Sequence, residues 1–301
     1  MKEASVVQVH HATKRFGAVT AVSGVSFEAV AGRVTGLLGP NGSGKTTTLR
    51  ILLGLQRAEV GYAHILGRPI ADLDRPGTII GASIDNAGFA PGRTCRNHLR
   101  MIAPLVRADD KRVDEVLEMV GLAEQSRRPV RGFSLGMRQR LALAAALLGS
   151  PRVLVLDEPA NGLDPIGITW LRNTMTALAA AGTGVLVSSH MLAELDRVVE
   201  DVVLLHHGRV VFAGERDDLI VDRTAVAIAE GPRRRAIEAL LTRVAAVQPL
   251  PDGRTWVAAS PREVARALRD HGIDHGEAVV SPADLEAAFM ARTTTSMAVA
   301  Q

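Results

Sequence analysis

Eight consecutive residues carry the groups needed to grip a polyphosphate: Gly39-Pro40-Asn41-Gly42-Ser43-Gly44-Lys45-Thr46. They fit the pattern of a glycine, four free positions, then Gly-Lys and a hydroxyl residue. Without Cβ atoms at 39, 42 and 44, the backbone can bend around an anion and turn successive N–H groups toward it. A helix starting at Thr46 and continuing through Thr47 adds the partial positive charge of its N-terminus. Lys45 is placed to reach the β- and γ-phosphates, and the Thr46 hydroxyl to ligate Mg²⁺. The competing explanation is a glycine-rich turn that only joins strand to helix. The lysine weighs against it: of 35 basic residues only Lys2, Lys14, Lys45 and Lys111 are lysine, and the rest are arginine. A compact ammonium fits this loop where a planar guanidinium does not.

A second group follows about 110 residues later, where Val153-Leu154-Val155-Leu156-Asp157-Glu158-Pro159 sets two acids at the end of an apolar run. Burying adjacent carboxylates is unfavourable unless a cation compensates. Beside a phosphate loop the natural cation is Mg²⁺, held by Asp157 through water. Glu158 points differently and is placed to polarise an attacking water as general base. Taken alone the segment reads equally well as a strand-ending turn. The upstream phosphate loop favours the carboxylate reading.

The elements that must carry these groups alternate. Short strands are expected over 6–9, 19–27 and 34–38, the last ending at Gly39, with a helix over 46–55. Residues 95–148 read as helical, with apolar spacing at Val113, Val116, Leu117 and Val120. Then come a strand over 153–156, a helix over 167–181, a strand over 184–188 and a helix over 190–199. A hairpin over 202–205 and 209–212 turns at His207-Gly208. Strands alternating with helices imply a parallel α/β sheet. The texture changes near residue 222. Strands at 225–229, 245–248, 254–258 and 278–280, with helices at 233–243 and 261–270, give the order β-α-β-β-α-β of a small ferredoxin-like domain. The expected division is 1–221, with a helical subdomain at about 90–148, then 222–292, then a disordered tail over 293–301.

Composition sets outer limits. At 301 residues, 47% hydrophobic and 22% charged, the chain can bury a substantial core. A net charge of +3 is too mild to argue for nucleic acid, and the run Arg233-Arg234-Arg235 reads as a solvated helix face. No apolar run approaches the 18 or more residues of a membrane helix, and the N-terminus carries no signal-peptide pattern. Cys95 is the single cysteine, which excludes an intrachain disulfide and suits a reducing compartment.

Over residues 5–215 the motif order resembles the nucleotide-binding subunits of ABC transporters, in the branch of bacitracin, lantibiotic and multidrug exporters. The resemblance implies a P-loop NTPase fold of the ABC ATPase type with a helical subdomain, followed by the small α+β domain. It implies ATP and Mg²⁺ as cofactors. Phe16 takes the place of an aromatic that stacks on adenine. Phe133-Ser134-Leu135-Gly136-Met137 takes the place of the family signature, with Leu135 and Met137 departing from its commonest form. Ser134, Leu135, Gly136 and Met137 would meet the γ-phosphate bound by an opposite subunit, just ahead of an apolar helix. Asp164, in Asn161-Gly162-Leu163-Asp164-Pro165, matches the loop that lines the subunit interface. His190 matches the switch histidine that contacts the γ-phosphate and orients Glu158. Lys45, Glu158 and His190 are thus the catalytic set, and Thr46, Asp157 and Asp85 the metal set. Asp85 stands where the family has glutamine, or glutamate in the exporter branch; the shorter aspartate suggests a water bridge to the metal.

The phosphate loop and the signature cannot both face one ATP in a single copy of such a fold. The resemblance therefore implies a homodimer, or a pseudo-symmetric dimer with another ATPase subunit, closed head to tail on ATP. It also implies a separate integral membrane permease, which would hold the chain at the cytoplasmic face of the membrane. Export of a drug, antibiotic peptide or lipid follows from the branch alone. Two other classes stand beside this reading: a soluble ABC ATPase acting on nucleic acid or ribosomes, and a non-hydrolysing regulatory module that binds ATP.

Overall fold

The computed structural model describes residues 4–84, 88–221 and 223–298. The chain divides into two compact units, Met1–Ala213 and Gly214–Gln301, eight residues ahead of the expected boundary.

The first unit opens with β1 (Ser5–Phe16) and β2 (Val19–Val30), each of 12 residues and longer than the sequence suggests. They form an antiparallel pair whose register shifts several times along β1. These irregularities break the strict alternation from which strand length is read. Next come β3 (Val34–Leu38), α1 (Lys45–Leu52), β4 (Val60–Ile65) and β5 (Ile80–Ser83). Neither β4 nor β5 was anticipated. Both contain a glycine that permits close approach: a Cβ on Gly61 would strike the backbone of His10 and His11, and one on Gly81 the carbonyl of Ala146. Glycine depresses strand propensity, so such strands are invisible to pattern alone.

The helical segment consists of α2 (Cys95–Ile102), α3 (Asp110–Met119) and α4 (Leu135–Leu147), separated by single 3₁₀ turns. Each begins at a side-chain cap, Thr94, Asp109 or Ser134. Each cap satisfies an otherwise orphaned backbone N–H, worth about 1 kcal/mol. There follow β6 (Val153–Asp157), α5 (Pro165–Ala180), β7 (Gly184–Ser189), α6 (Leu192–Leu195), β8 (Asp201–His206) and β9 (Arg209–Glu215). The helix expected over 190–199 shrinks to the single turn α6.

The strands make a three-stranded sheet, β2-β1-β4, and a six-stranded sheet, β5-β6-β7-β3-β8-β9. Pairing is parallel from β5 through β8. β3 and β7 are buried throughout, as a sheet covered on both faces demands. Parallel order brings the C-terminal ends of β3, β6 and β7 side by side, the usual ligand edge of an open α/β sheet.

The second unit contains α7 (Arg216–Ile220), β10 (Thr224–Ile228), α8 (Arg234–Val244), β11 (Val247–Pro249), β12 (Arg254–Val257), α9 (Pro261–Asp270), β13 (Ala278–Pro282) and α10 (Leu285–Ala298). Its antiparallel sheet runs β11-β12-β10-β13, so the four strands of the β-α-β-β-α-β run lie in the order second, third, first, fourth. α8 and α9 bury Ile237, Leu241, Val264 and Leu268 in one core. A second cluster joins Ala225 and Leu250 to Ala287 and Ala291 of α10. α10 reaches Ala298, where a disordered tail was expected from 293. The Thr293 hydroxyl donates to the Phe289 carbonyl one turn back, so a residue of weak helix propensity satisfies its polar group within the helix.

Candidate active site

The phosphate loop leaves the end of β3 and enters α1. Gly39 sits at φ 152°, where a Cβ would strike the Leu205 carbonyl. Gly44 sits at φ 104°, where a Cβ would lie 2.6 Å from the Ala21 carbonyl oxygen. Neither position admits a side chain. The loop is braced from outside. Gly208 donates its N–H to the Ser43 carbonyl (3.0 Å) and accepts from Ser23 N–H (2.8 Å). The β8–β9 turn therefore ties the loop to β2, a link no sequence motif signals.

Asn41 and Gly42 are exposed at the loop's crest, and Thr46 and Thr47 are half-buried in the first turn of α1. The Ser43 hydroxyl is buried without a hydrogen-bond partner. Such a group costs about 1–3 kcal/mol, a penalty that a phosphate oxygen accepting its proton would remove. Lys45 is 5% exposed. Its ammonium donates to the carbonyls of Gly39 (2.7 Å) and Pro40 (3.2 Å) and pairs with Glu158 Oε1 at 3.2 Å. Loop backbone and lysine together form a cradle for an anion.

Asp157 ends β6, and its Oδ2 accepts the Thr46 hydroxyl at 2.8 Å. Its Oδ1 accepts the hydroxyl of Ser188, which lies opposite it in the parallel pair β6–β7. Glu158 follows with φ 49°, in the left-handed region. That conformation costs about 1–2 kcal/mol for a residue with a Cβ. The resulting turn carries the Glu158 carboxylate to Lys45 on one side and His190 on the other. Glu158 Oε2 accepts from His190 Nδ1 at 2.7 Å and from the His190 backbone N–H at 3.3 Å. An ionised carboxylate only accepts, so the His190 ring holds its proton at Nδ1. One element further, burial pushes the Glu194 carboxyl above its usual range; Arg172 and His190 pull against this and Glu158 adds to it. Arg172 of α5 donates to the Glu194 carbonyl and so holds α6 in place.

Thr46, Asp157, Glu158, Lys45 and His190 therefore meet at one sheet edge. The signature residues form a second group. Ser134 caps α4 by accepting the Met137 N–H (3.2 Å), and Asp164 caps α5 by accepting the Gly167 N–H (2.7 Å). A Cβ on Gly136 would lie 3.3 Å from Leu163, a close approach of the two turns. Ser134, Leu135, Gly136 and Met137 line a cavity of about 440 Å³ with Gly162, Leu163 and Asp164, and no residue of 39–46 lines it. Phe16 stands at the end of β1, 47% exposed, with the Lys14 ammonium 5.6 Å from its ring centroid. Asp85 lies outside the described residues.

Ser188 is the site residue that sequence reasoning overlooked. Its signal was a pair of hydroxyl residues, Ser188-Ser189, closing a strand otherwise made of glycine, valine and leucine. Among the described residues, no three or more His, Cys, Asp or Glu side chains are placed to hold a metal. The Thr46–Asp157 oxygen pair suits Mg²⁺, which takes few protein ligands and draws the rest from phosphate and water. No helix among the described residues is long and apolar enough to cross a membrane.

Residues 22–161 match the family described as ABC transporter. The bacitracin transport ATP-binding protein of Bacillus licheniformis is 38% identical over 213 residues, 69% of each chain. The lantibiotic transport ATP-binding protein of Streptococcus pyogenes is 32% identical over 212 residues, covering 70% of this chain and 92% of that protein. Among solved structures, an ATP-binding subunit of an ABC transporter superposes with a TM-score of 0.65 at 29% identity, over 71% of this chain and 92% of that one. These likenesses do not favour an ATPase working on nucleic acid or ribosomes, nor a module that binds ATP without hydrolysing it. Likeness of this depth, over more than two thirds of a relative's length, places the chain in the ABC transporter family as one of its ATP-binding, ATP-hydrolysing subunits.

Proposed function

We propose that two copies of this chain close head to tail on ATP and drive a separate membrane permease that exports a drug, an antibiotic peptide or a lipid. The observation that supports it best is the Glu158 carboxylate, set between Lys45 Nζ (3.2 Å) and His190 Nδ1 (2.7 Å) at the mouth of the phosphate loop. In this reading residues 39–46 wrap the phosphates. Lys45 neutralises the β- and γ-oxygens, and Phe16 offers its exposed face to adenine. Thr46 and Asp157 would hold Mg²⁺, which would supply positive charge to offset that of the phosphates. Glu158 orients a water and takes its proton, while His190 fixes the carboxylate and senses the γ-phosphate.

The signature cavity holds Ser134 and Gly136 away from the phosphate loop of its own chain. A second copy, turned head to tail, supplies the missing half. Hydrolysis then removes the contacts joining the copies, and the dimer opens. The bacitracin and lantibiotic transport relatives support a peptide antibiotic or similar molecule as cargo. With no spanning helix among the described residues, the motion needs a membrane-embedded partner, which would keep this chain at the inner membrane face.

Cysteine cross-linking tests the arrangement. In a Cys95→Ser, Glu158→Gln background, chains carrying Asn41→Cys are mixed with chains carrying Leu135→Cys, both positions being exposed. ATP followed by mild oxidation is expected to give a disulfide dimer from the mixture and little from either chain alone. Equal yields with and without ATP would rule out the nucleotide-closed dimer. Co-purification of a permease with the full chain checks the partner.

A further inference from the structure

Ser188 has no assigned part in the site, yet its hydroxyl occupies the junction of the two carboxylates. It is fully buried one residue before the end of β7. Its Oγ donates to Asp157 Oδ1 and accepts the backbone N–H of Glu158 at 2.9 Å. A hydroxyl has one proton to give and lone pairs to receive, so both bonds form at once and in opposite senses.

Each bond fixes something the proposed chemistry needs. Asp157 has its two oxygens held by different elements, Oδ2 by Thr46 of α1 and Oδ1 by Ser188 of β7. Its carboxylate plane cannot rotate without breaking one of them. Glu158 leaves the strand with φ 49°, which takes its N–H away from a regular ladder. The Ser188 hydroxyl captures that N–H and so stabilises a backbone conformation unfavourable for glutamate. The same turn delivers the Glu158 side chain to Lys45 and His190.

We propose that Ser188 is a positioning residue that locks the metal-side carboxylate, Asp157, and the water-side carboxylate, Glu158, into one geometry. The inference rests on the proposed roles of those two acids. It predicts that losing the hydroxyl harms turnover and metal binding while leaving nucleotide grip largely intact. The grip comes from the glycine backbone and from Lys45, which Ser188 does not touch. Groups that orient metal ligands commonly govern affinity or activity by about 10–100-fold.

The experiment compares the parent chain with Ser188→Ala, Ser188→Thr and Glu158→Gln. Ser188→Ala is expected to lower kcat about 10–100-fold and to move KM for ATP less than about threefold. Ser188→Thr keeps the hydroxyl and is expected to recover most of the rate. A second readout needs no turnover. In ATP-loaded Glu158→Gln protein, adding Ser188→Ala is expected to weaken Mn²⁺ affinity, followed by electron paramagnetic resonance, by about tenfold. Thermal melts identify any variant that fails to fold. A folded Ser188→Ala with parental kcat and parental Mn²⁺ affinity overturns the inference, provided Glu158→Gln is inactive. An active Glu158→Gln instead overturns the underlying site reading.

Discussion

Replacing Glu158 by glutamine changes one atom type at the centre of the site and leaves its shape. The carboxylate lies 3.2 Å from the Lys45 ammonium, with both groups largely buried. At an effective dielectric constant of about 20, that separation corresponds to about 5 kcal/mol of gross attraction, most of it offset by desolvating the two charges. Lys45 keeps its bonds to the carbonyls of Gly39 and Pro40, so the loop has no reason to collapse. Glutamine also retains an acceptor oxygen for His190 Nδ1. The expected variant is therefore folded and binds ATP at least as well as the parent, because the lysine is freed for phosphate. What it lacks is a base. General base catalysis contributes about 10²–10⁴-fold, so kcat is expected to fall by that factor, about 3–5.5 kcal/mol in barrier height. Phosphate release at saturating ATP, with titration calorimetry on the same samples, separates the two effects. Hydrolysis within twofold of the parental rate would refute the role given to Glu158. Loss of ATP binding would refute the account of how Lys45 is anchored.

Lys45→Ala removes a charged donor from the cradle and is expected to weaken ATP binding by about 10–150-fold, the equivalent of 1.5–3 kcal/mol; calorimetry showing unchanged affinity would contradict the phosphate-loop reading. Gly44→Ala forces a Cβ against the Ala21 carbonyl at φ 104° and is expected to lower Tm by about 2–8 °C and abolish ATP binding; a melt matching the parent would sink the steric argument. His98 is held below its ordinary value of about 6.5 by burial and by Arg93, and its Nδ1 is buried without a partner. Protonation thus favours the unfolded chain, so this contribution to stability is present above about pH 6.5 and lost as pH falls. Melting temperature should drop less between pH 7.5 and 5.5 in His98→Asn than in the parent, and equal slopes would exclude the effect. Burial likewise pushes the Cys95 thiol up, so a thiol reagent at neutral pH should label unfolded protein and leave folded protein unlabelled.

The groups that do chemistry were legible where they depend on local sequence. The phosphate loop is a contiguous run, and the strands ending at Leu38 and Asp157 announce themselves as apolar stretches before a polar break. The second unit's β-α-β-β-α-β order was legible for the same reason, since each helix there carries strong apolar periodicity over two or three turns. Illegible features depend on contacts distant in sequence. β4 hides because Gly61 answers to the backbone of His10 and His11, and β5 because Gly81 answers to Ala146. The helix expected over 190–199 starts late because His190 is drawn out of it. Its backbone N–H and its ring both bind Glu158, 32 residues upstream, so α6 begins only at Leu192.

That last failure has the same cause as the site's function. Glu158 gives up regular backbone geometry at this edge, whereas Ser188 stays paired in the ladder and contributes only its hydroxyl. Glu158 adopts a left-handed turn, Ser188 spends its hydroxyl on a neighbouring strand, and His190 follows β7 without starting a helix. Local rules are broken together at one sheet edge, and the strands behind it, buried throughout, supply the stability that tolerates this. A phosphate held by Lys45 and watched by His190 would act on that strained edge first. In the proposed mechanism, loss of the γ-phosphate would move the β6 and β7 ends as a pair, because two Ser188 bonds and two Glu158–His190 bonds join them in four places.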